Sequence, residues 1–373
     1  MIEKKRLKRD LAVFLTIVIS LLVLGLLFIY SASSVFALEK FGSAHYYLKK
    51  QLFGLLIGIG TAIAIQYIPL STIKKLSPYF FLSCLGLTAL TIFSNFGQHI
   101  HGSVRWLSLP FIAFQPSELL KLSLIIYVAY FLEKKEKSNR SVLTSFIMIL
   151  IFLACTSFIL LKQPDFGLMV VLIATVLIML FIVNFGTKYL TITLLASIPL
   201  LIGLILTKSY RIKRILTFLN PWTDAKGSGF QIIQSLIAIG SGGFFGVGIG
   251  QSKQKFFYLP MQHTDFIFSI IAEETGFIGA STILFLFLLF LYFGFRIALQ
   301  LYDRFSALVT LGFVTVISLQ ALINMCVTTG LAPTKGMGLP FISYGNTALV
   351  CHLAMIGIII AFVYKNKKAI SHR

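Results

Sequence analysis

Charged residues are scarce in this chain of 373 residues: only 12% are Asp, Glu, Lys or Arg, whereas 57% are hydrophobic. An ordinary soluble chain carries about twice that share of charge, so the composition argues against a soluble enzyme. The apolar residues occur in repeated runs of roughly 18 or more, the length that a helix needs to cross about 30 Å of hydrocarbon. The sequence therefore predicts an all-α polytopic membrane protein.

Acidic residues are the scarcer of the two charge types, with 12 Asp and Glu against 32 Lys and Arg, which gives a net charge of +20. In a soluble protein this excess would suggest nucleic acid as a partner. In a membrane protein the position of the basic residues matters more than their sum, so no nucleic acid partner is expected. Cysteine is scarce as well, and all four cysteines lie in apolar runs, which indicates neither a disulfide framework nor a zinc site.

Ten candidate transmembrane spans follow from a window of about 19 residues. They lie near residues 11–31, 48–68, 78–96, 115–132, 142–161, 165–184, 188–207, 264–295, 305–329 and 345–364. With both termini in the cytoplasm, the short inner loops collect basic residues, as the positive-inside rule requires. The first span follows a basic N-terminus without a recognisable cleavage pattern, so it is expected to be retained.

One long outer loop, about residues 208–263, joins spans seven and eight. Its apolar stretch Ile232–Ile239 is too short to span the membrane, which indicates a re-entrant or partly buried segment. A single transmembrane domain over residues 1–373 is predicted.

Ionisable residues near span ends are candidates for a functional site, because charge within a membrane is costly. Glu118 and Lys121 open span four, Asp165 opens span six and Asp265 opens span eight, all on the predicted outer side. The three acidic residues also fit helix N-caps, which complement the helix dipole. Lys121 has the wrong sign for that position, so it is expected to pair with an anion, either Glu118 or a bound phosphate.

Glu273 and Glu274 lie roughly 12–14 Å along the helix from Asp265 at 1.5 Å per residue, deeper than a cap explains. A structural hydrogen bond to a neighbouring helix is favoured over a catalytic role for this pair. The histidines of the outer segments, among them His263, are expected to be polar anchors more often than metal ligands.

Motifs spread along the chain carry a resemblance to a known family. They are Arg105-Trp106, Phe114-Gln-Pro-Ser-Glu-Leu-Leu-Lys121, Gln163-Pro-Asp-Phe-Gly167, His263-Thr-Asp-Phe-Ile-Phe268, Ala272-Glu-Glu274, and Pro333-Thr-Lys-Gly336 with Leu339-Pro-Phe-Ile-Ser-Tyr-Gly345. In this order they resemble the SEDS family, the shape, elongation, division and sporulation proteins. Asn220-Pro-Trp222, Gly248–Lys255 and Thr334-Lys335-Gly336 are more similar to its division member than to its elongation member, although the sporulation member shares them. Asn346 stands where the family has a second glycine.

The resemblance implies a ten-span peptidoglycan glycosyltransferase that polymerises lipid II, the undecaprenyl-pyrophosphate-linked disaccharide peptide. It would act at the outer face of the bacterial cytoplasmic membrane during cell division, with a class B penicillin-binding protein transpeptidase and other divisome proteins. No cofactor is certain, and although Mg²⁺ suits pyrophosphate, no all-protein cage for it is evident.

The resemblance also assigns roles to individual residues. Asp265 matches the family's essential aspartate and would act as general base, Lys121 would neutralise the pyrophosphate, and Glu118 would hold Lys121. The expected substrate-binding residues are Arg105, Trp106, Asp165, His263, Lys335 and Ser343.

Two other function classes stay open. A lipid II flippase predicts charges through the full depth of the membrane, whereas here they crowd at outer helix ends and only Glu273 and Glu274 approach mid-depth. A non-catalytic scaffold for the transpeptidase predicts that replacing Asp265 leaves function intact. The polymerase is favoured over both.

Overall fold

Ten α-helices coincide with the ten predicted spans in the computed structural model, which describes residues 2–93, 97–100, 103–108, 113–136, 141–256 and 259–371. Eight helices of that part of the chain are long and apolar enough to cross a membrane. The fold is that of an all-α multi-pass membrane protein, as predicted. In chain order the helices are α1 (Ile2–Phe41), α2 (Tyr46–Gln66), α3 (Leu70–Phe93), α4 (Pro116–Glu136), α5 (Val142–Lys162), α6 (Phe166–Ile182), α7 (Thr187–Leu206), α8 (Ser209–Leu219), α9 (Phe230–Gly242), α10 (Ile267–Gln300), α11 (Arg304–Thr328) and α12 (Asn346–Ser371).

The long apolar runs become helices because hydrocarbon offers no partner for backbone N–H and C=O groups, and a helix satisfies them internally. Helix starts carry polar caps where the sequence supplies them. Ser141 caps α5 by accepting from Thr144 N at 3.1 Å, and Asp303 caps α11 by accepting from Ser306 N at 2.9 Å. Helices α11 and α12 lie at the centre of the bundle. In their most apolar 18-residue stretches, 72% and 78% of the residues are buried, against 6% in α7.

Ion pairs join the helix ends at one end of the bundle, called here the N-terminal side. Lys74 donates to Glu133 at 2.9 Å and to Asp303 at 2.7 Å, which ties α3 to α4 and to the start of α11. Arg296 of α10 lies 3.0 Å from Asp10 of α1. Lys365, near the end of α12, donates to the Ile68 carbonyl on this side. The first part of α1 and the last part of α12 therefore lie at the same end of the bundle.

The opposite end, called the loop side, carries a small three-stranded antiparallel sheet between α3 and α4. Its strands are β1 (Gly97–Ile100), β2 (Ser103–Ser108) and β3 (Ala113–Phe114), in the order β1-β2-β3. The sequence analysis did not predict it, because strands of this length leave too little alternation to recognise. Successive residues of a strand face opposite sides, so β2 directs Arg105 and Trp106 to different faces of the sheet.

Helix α10 is broken at Gly276, where a glycine-rich turn after α9 inserts its backbone. Val247 N donates to Glu273 O at 3.0 Å, and Phe277 N donates to Gly243 O at 2.9 Å. A Cβ at Gly246 would lie 2.2 Å from Glu274 O, so the close approach requires glycine. The preceding helix α9 has 13 residues and buries Ile232 and Ile233, which confirms a partly buried segment too short to span.

Glu273 and Glu274 hold this region together. Glu274 accepts from Ser31 Oγ of α1 at 2.6 Å and lies 3.6 Å from Lys255 Nζ, and Glu273 accepts from Lys253 N at 2.8 Å. The expected structural hydrogen bonds are therefore present. The contacts of the two glutamates with Lys253 and Lys255 place both of them beside the loop that follows α9, and their depth in the membrane stays a prediction.

Replacing Gly276 by alanine is expected to destabilise the protein. Its φ of 65° and ψ of −162° fall in a region that essentially only glycine occupies, at a strain of roughly 1–3 kcal/mol for other residues. A Cβ there would also lie 2.4 Å from Gly246 N. We expect a clearly lower thermal unfolding midpoint in detergent for Gly276→Ala. The matched control is Gly86→Ala in α3, where nothing lies within 4 Å and alanine favours the helix; equal midpoints for the two variants would contradict the expectation.

Candidate active site

Five charged residues meet on the loop side: Arg105, Asp165, Arg214, Asp265 and Lys335, called here the charged cluster. They come from β2, the start of α6, α8, the segment before α10 and the loop between α11 and α12. The pKa of Asp265 is influenced by the charges of Arg105, Asp165 and Arg214. The pKa of Lys335 is influenced by the charges of Asp165 and Arg105. The fold thus brings together residues that are up to about 230 positions apart in the sequence.

Asp265 lies partly buried just before α10, and its surroundings separate two interpretations of it. The N-cap position of α10 is Phe266, which makes no side-chain cap hydrogen bond, so the helix-cap interpretation of Asp265 is wrong. Among the described residues, the Asp265 carboxylate accepts no hydrogen bond. Burial raises the pKa of this carboxyl to about 6, against the opposing effects of Arg105 and Arg214. Within the described ranges, the group is therefore a carboxylate without a hydrogen-bond partner, influenced by two arginines and by Asp165.

Arg105 and Asp165 form the second part of the charged cluster. Arg105 Nη2 donates to Pro164 O at 2.6 Å, and Arg105 Nε lies 3.7 Å from Asp165 Oδ2. Asp165 also caps α6 by accepting from Leu168 N at 3.3 Å, so the cap interpretation is correct for this residue. The two contacts join β2 to the start of α6, and Arg105 Nε is buried without a hydrogen bond to the part of the chain that the structure describes.

Lys335 reaches the charged cluster from the loop between α11 and α12. Its ammonium group donates to Gly167 O. The Lys335 side chain lies so close to Gly167 that a Cβ on Gly167 would be 1.6 Å from Lys335 Cε. Burial lowers the pKa of Lys335 to about 8, while Asp165 raises it and Arg105 lowers it further. A lysine at this pKa is still mostly charged at neutral pH.

Arg214 of α8 is the member of the charged cluster that the sequence analysis missed. No motif of the sequence distinguishes it from Arg211 or Lys213 of the same segment. The Arg214 side chain is exposed, its guanidinium lies over the Tyr210 ring at 5.7 Å, and partial desolvation by the surrounding protein lowers its pKa. A folded α8 was needed to show which of these basic residues faces Asp265.

Lys121 and Glu118 lie elsewhere, in the buried interior between α4, α11 and α12. Lys121 Nζ lies 2.6 Å from Glu118 Oε2, 3.0 Å from Gln320 Oε1 and 3.1 Å from His352 Nε2. The expected pairing with Glu118 is present. The ammonium group donates hydrogen bonds to Gln320 and His352, and its contact with Glu118 is an ion pair, so all three contacts direct it into the bundle. The expected contact of Lys121 with pyrophosphate stays a prediction.

His263 lies apart from the charged cluster, inside a group of aromatic rings. Its ring centroid is 4.4 Å from that of Tyr47, 5.7 Å from Phe36 and 5.9 Å from Tyr344. Burial lowers its pKa to about 4, with a further lowering by Lys40, so the imidazole is neutral at pH 7. This placement suits the polar-anchor interpretation.

Ser343 and Trp106 are the remaining predicted substrate-binding residues. Ser343 Oγ donates to Thr264 O at 2.6 Å and accepts from Leu339 N at 2.7 Å, so it fastens the loop before α12 to the segment that carries Asp265. Trp106 is partly buried and lies opposite Gln98 in the sheet. Binding of substrate by either residue stays a prediction.

Two amides on α11 contact the site and were not predicted. Asn324 Nδ2 donates to Asp265 O at 2.8 Å and to Met337 O at 2.7 Å, and Gln320 Nε2 donates to Gly338 O at 3.1 Å. Both side chains are buried. The sequence signal for them is the spacing of two amides four residues apart on an apolar span, which puts both on one face of the helix. Buried amides in a membrane form hydrogen bonds with neighbouring segments.

A dedicated metal cage is not formed by the residues that the structure describes, which contain no group of three or more His, Cys, Asp or Glu able to hold an ion. Asp165 already faces Arg105 and the start of α6. Asp265 accepts no hydrogen bond from the described residues, so its carboxylate is the one left open for a shared cation, and binding of a divalent cation such as Mg²⁺ stays a prediction.

The fold and the site define a multi-pass membrane protein with a charged cluster at one end of its helical bundle. Residues 12–368 match the family model of the FtsW, RodA and SpoVE cell cycle proteins, so the chain belongs to this family. It is 40% identical over 356 residues to a probable peptidoglycan glycosyltransferase FtsW of Geobacter sulfurreducens, with 95% of each chain covered. It is also 40% identical over 360 residues to stage V sporulation protein E of Bacillus subtilis, with 96% of this chain and 98% of that one covered.

Solved structures share the fold. One chain of a peptidoglycan synthase complex matches with a TM-score of 0.79 and 28% identity, over 95% of this chain and 97% of that one. That structure describes how the complex coordinates polymerization and crosslinking. The rod shape determining protein RodA of Thermus thermophilus matches with a TM-score of 0.71 and 25% identity over 95% of this chain and 96% of that one. The resemblance that the sequence motifs predicted is confirmed.

Proposed function

We propose that this protein is a peptidoglycan glycosyltransferase that polymerises lipid II into glycan strands. The observation that carries the proposal is the Asp265 carboxylate, which accepts no hydrogen bond from described residues and is influenced by Arg105 and Arg214. Lys335 belongs to the same cluster through Asp165 and Arg105, and the residue that follows it lies beside that carboxylate. Transfer of a sugar from a lipid pyrophosphate requires a base for the attacking hydroxyl and cations for the leaving group. The charged cluster contains both kinds of group, and the FtsW and sporulation relatives support the assignment.

In the proposed mechanism the 4-hydroxyl of the acceptor sugar attacks the anomeric carbon of the donor with inversion. Asp265 takes the hydroxyl proton while the bond from the anomeric carbon to the pyrophosphate oxygen breaks. The released undecaprenyl pyrophosphate carries the negative charge, which Arg105, Arg214 and Lys335 stabilise. Lys335 and Arg214 take the place that the sequence analysis gave to Lys121, because the Lys121 donors are directed into the bundle. Bound Mg²⁺ would add positive charge at the pyrophosphate.

The charged cluster is proposed to face the outside of the bacterial cytoplasmic membrane, with the N-terminal side in the cytoplasm. The basic residues of the short loops support this orientation through the positive-inside rule. A site at the membrane surface suits a substrate whose lipid tail stays in the bilayer. The similarity to a chain of a peptidoglycan synthase complex supports a transpeptidase partner, proposed to be a class B penicillin-binding protein acting with other division proteins.

The proposal is tested with purified protein, its transpeptidase and labelled lipid II in vesicles, by separating glycan chains on a gel. Long chains support the polymerase. If no chains form while lipid II crosses the bilayer, the protein is a flippase. If neither activity is found and the transpeptidase is stimulated, the protein is a scaffold. Either of these two outcomes overturns the proposed function.

Gly167→Ala is expected to reduce polymerisation as strongly as Lys335→Met. A Cβ at Gly167 would overlap the Lys335 side chain, with contacts of 1.6 Å to Cε and 2.6 Å to Cδ, so the side chain must shift and the ammonium group is displaced from its contact with Gly167 O. Initial rates of glycan formation measure the effect. The control is Gly60→Ala in α2, where nothing lies within 4 Å. A Gly167→Ala variant with the wild-type rate would show that the Lys335 position is unimportant.

A further inference from the structure

A single buried side chain joins the two loops that face each other in the active site. Asn324 donates both hydrogens of its amide nitrogen to backbone carbonyls, one to Asp265 at 2.8 Å and one to Met337 at 2.7 Å. The first carbonyl belongs to the segment before α10, and the second belongs to the loop between α11 and α12. Asn324 itself is on the central helix α11 and is only 2% exposed. The peptide of Asp265 is therefore held by a residue outside the charged cluster.

Gln320, about one helical turn before Asn324, supports the same loop. Its Oε1 accepts from Lys121 at 3.0 Å, and its Nε2 donates to Gly338 O at 3.1 Å. Because an ammonium group can only donate, Lys121 determines which end of the Gln320 amide faces it. The amide nitrogen must then face Gly338. The buried ion pair of Lys121 and Glu118 is thus connected to the loop through Gln320.

The loop held by these amides carries Lys335, and the residue after it lies beside Asp265. Lys335 precedes Gly336, and a Cβ at Gly336 would lie 3.2 Å from Asp265 Oδ2. Ser343 fastens the far end of the loop by donating to Thr264 O at 2.6 Å. A shift of this loop would therefore change the separation of the Lys335 ammonium from the Asp265 carboxylate.

We propose that Asn324 is a positioning residue that sets the geometry of Asp265 relative to Lys335, with Gln320 and Lys121 as its support. The inference rests on the proposed glycosyl transfer. Asn324 acts through the two carbonyls and touches no reacting atom. Loss of its bonds lowers kcat because the base and the cation are misplaced, and it leaves KM nearly unchanged because the groups that bind substrate are still present.

The test compares kcat and KM for polymerisation of labelled lipid II by the complex with its transpeptidase. Asn324→Leu removes both donors at similar size, and we expect kcat to fall about 100-fold, as for a misplacement near 1 Å, with KM within about twofold. The matched control is Thr315→Val on the same helix, because Thr315 is buried and its Oγ1 has no hydrogen bond among the described residues. The control is expected to keep the wild-type kcat.

Gln320→Met is the second variant, and it keeps the test decisive if Asn324→Leu folds poorly. It removes the donor to Gly338 at similar size and adds no charge beside Glu118 and Lys121, so the loop loses its bond while the buried ion pair stays intact. We expect a lower kcat at an unchanged amount of folded protein. A wild-type kcat in folded variants, or a loss confined to KM, overturns the positioning role. Inactive wild-type protein would instead overturn the proposed function.

Discussion

Asp265→Asn is expected to lower the rate of glycan polymerisation by about 10²- to 10⁴-fold, the usual contribution of a general base. Asparagine has nearly the same shape, so it fits beside Gly336 as the aspartate does. It cannot take the proton of the acceptor hydroxyl. Rates are measured with labelled lipid II at equal amounts of folded protein.

The same substitution is expected to leave stability unchanged or raised at pH 7, which separates a catalytic role from a structural one. Burial raises the pKa of Asp265 to about 6, so the ionised carboxylate is less favourable in the folded protein than in the unfolded chain. That cost is present above the folded-state pKa and disappears below the unfolded one, where the group is protonated in both states. A neutral amide avoids the cost. A lower unfolding midpoint together with lost activity would mean that Asp265 supports the fold.

Lys121→Met is expected to destabilise the protein by roughly 3–5 kcal/mol, the usual effect of removing one partner of a buried ion pair. Lys121 is fully buried and Glu118 is 7% exposed, so the substitution leaves a carboxylate in the interior without its cation. Thermal unfolding in detergent measures the loss. The exposed pair of Lys213 and Asp224 gives the matched control, and Lys213→Met should change the midpoint little.

The double variant Glu118→Gln with Lys121→Met tests whether this cost comes from the unpaired carboxylate. We expect it to recover most of the lost stability, because no charge stays buried without a partner. If the double variant is as unstable as Lys121→Met alone, contacts of Lys121 with Gln320 and His352 carry the stability instead.

The membrane-spanning helices were predictable because each one is determined by the residues of its own segment. A bilayer requires about 20 apolar residues per helix and internal satisfaction of every backbone group, so each span can be recognised without its neighbours. The break at Gly276 was not predictable, because it depends on a turn about 30 residues earlier that inserts its backbone there. The small sheet likewise depends on pairing between short segments that carry no periodic signal of their own.

The candidate site was predictable only in part. Asp165 and Asp265 were predicted because they are charges at the ends of apolar spans, and the family resemblance added Arg105 and Lys335. Arg214 was not identified, because its position depends on how α8 folds back over the site. The resemblance also grouped Lys121 with these residues, whereas its contacts lie inside the bundle. Sequence motifs identify residues of interest without showing which of them face one another.

The pH dependence of kcat/KM for polymerisation tests the central claim most directly, because it reports the protonation states of the free enzyme. Activity should fall as the pH drops through about 6, where Asp265 becomes protonated and can no longer accept a proton. It should also fall as the pH rises through about 8, where Lys335 loses its charge. In Lys335→Arg the upper limit should move to higher pH and the lower limit should stay, since arginine remains charged. Full activity at pH 5, where Asp265 is largely neutral, would contradict its role as the base.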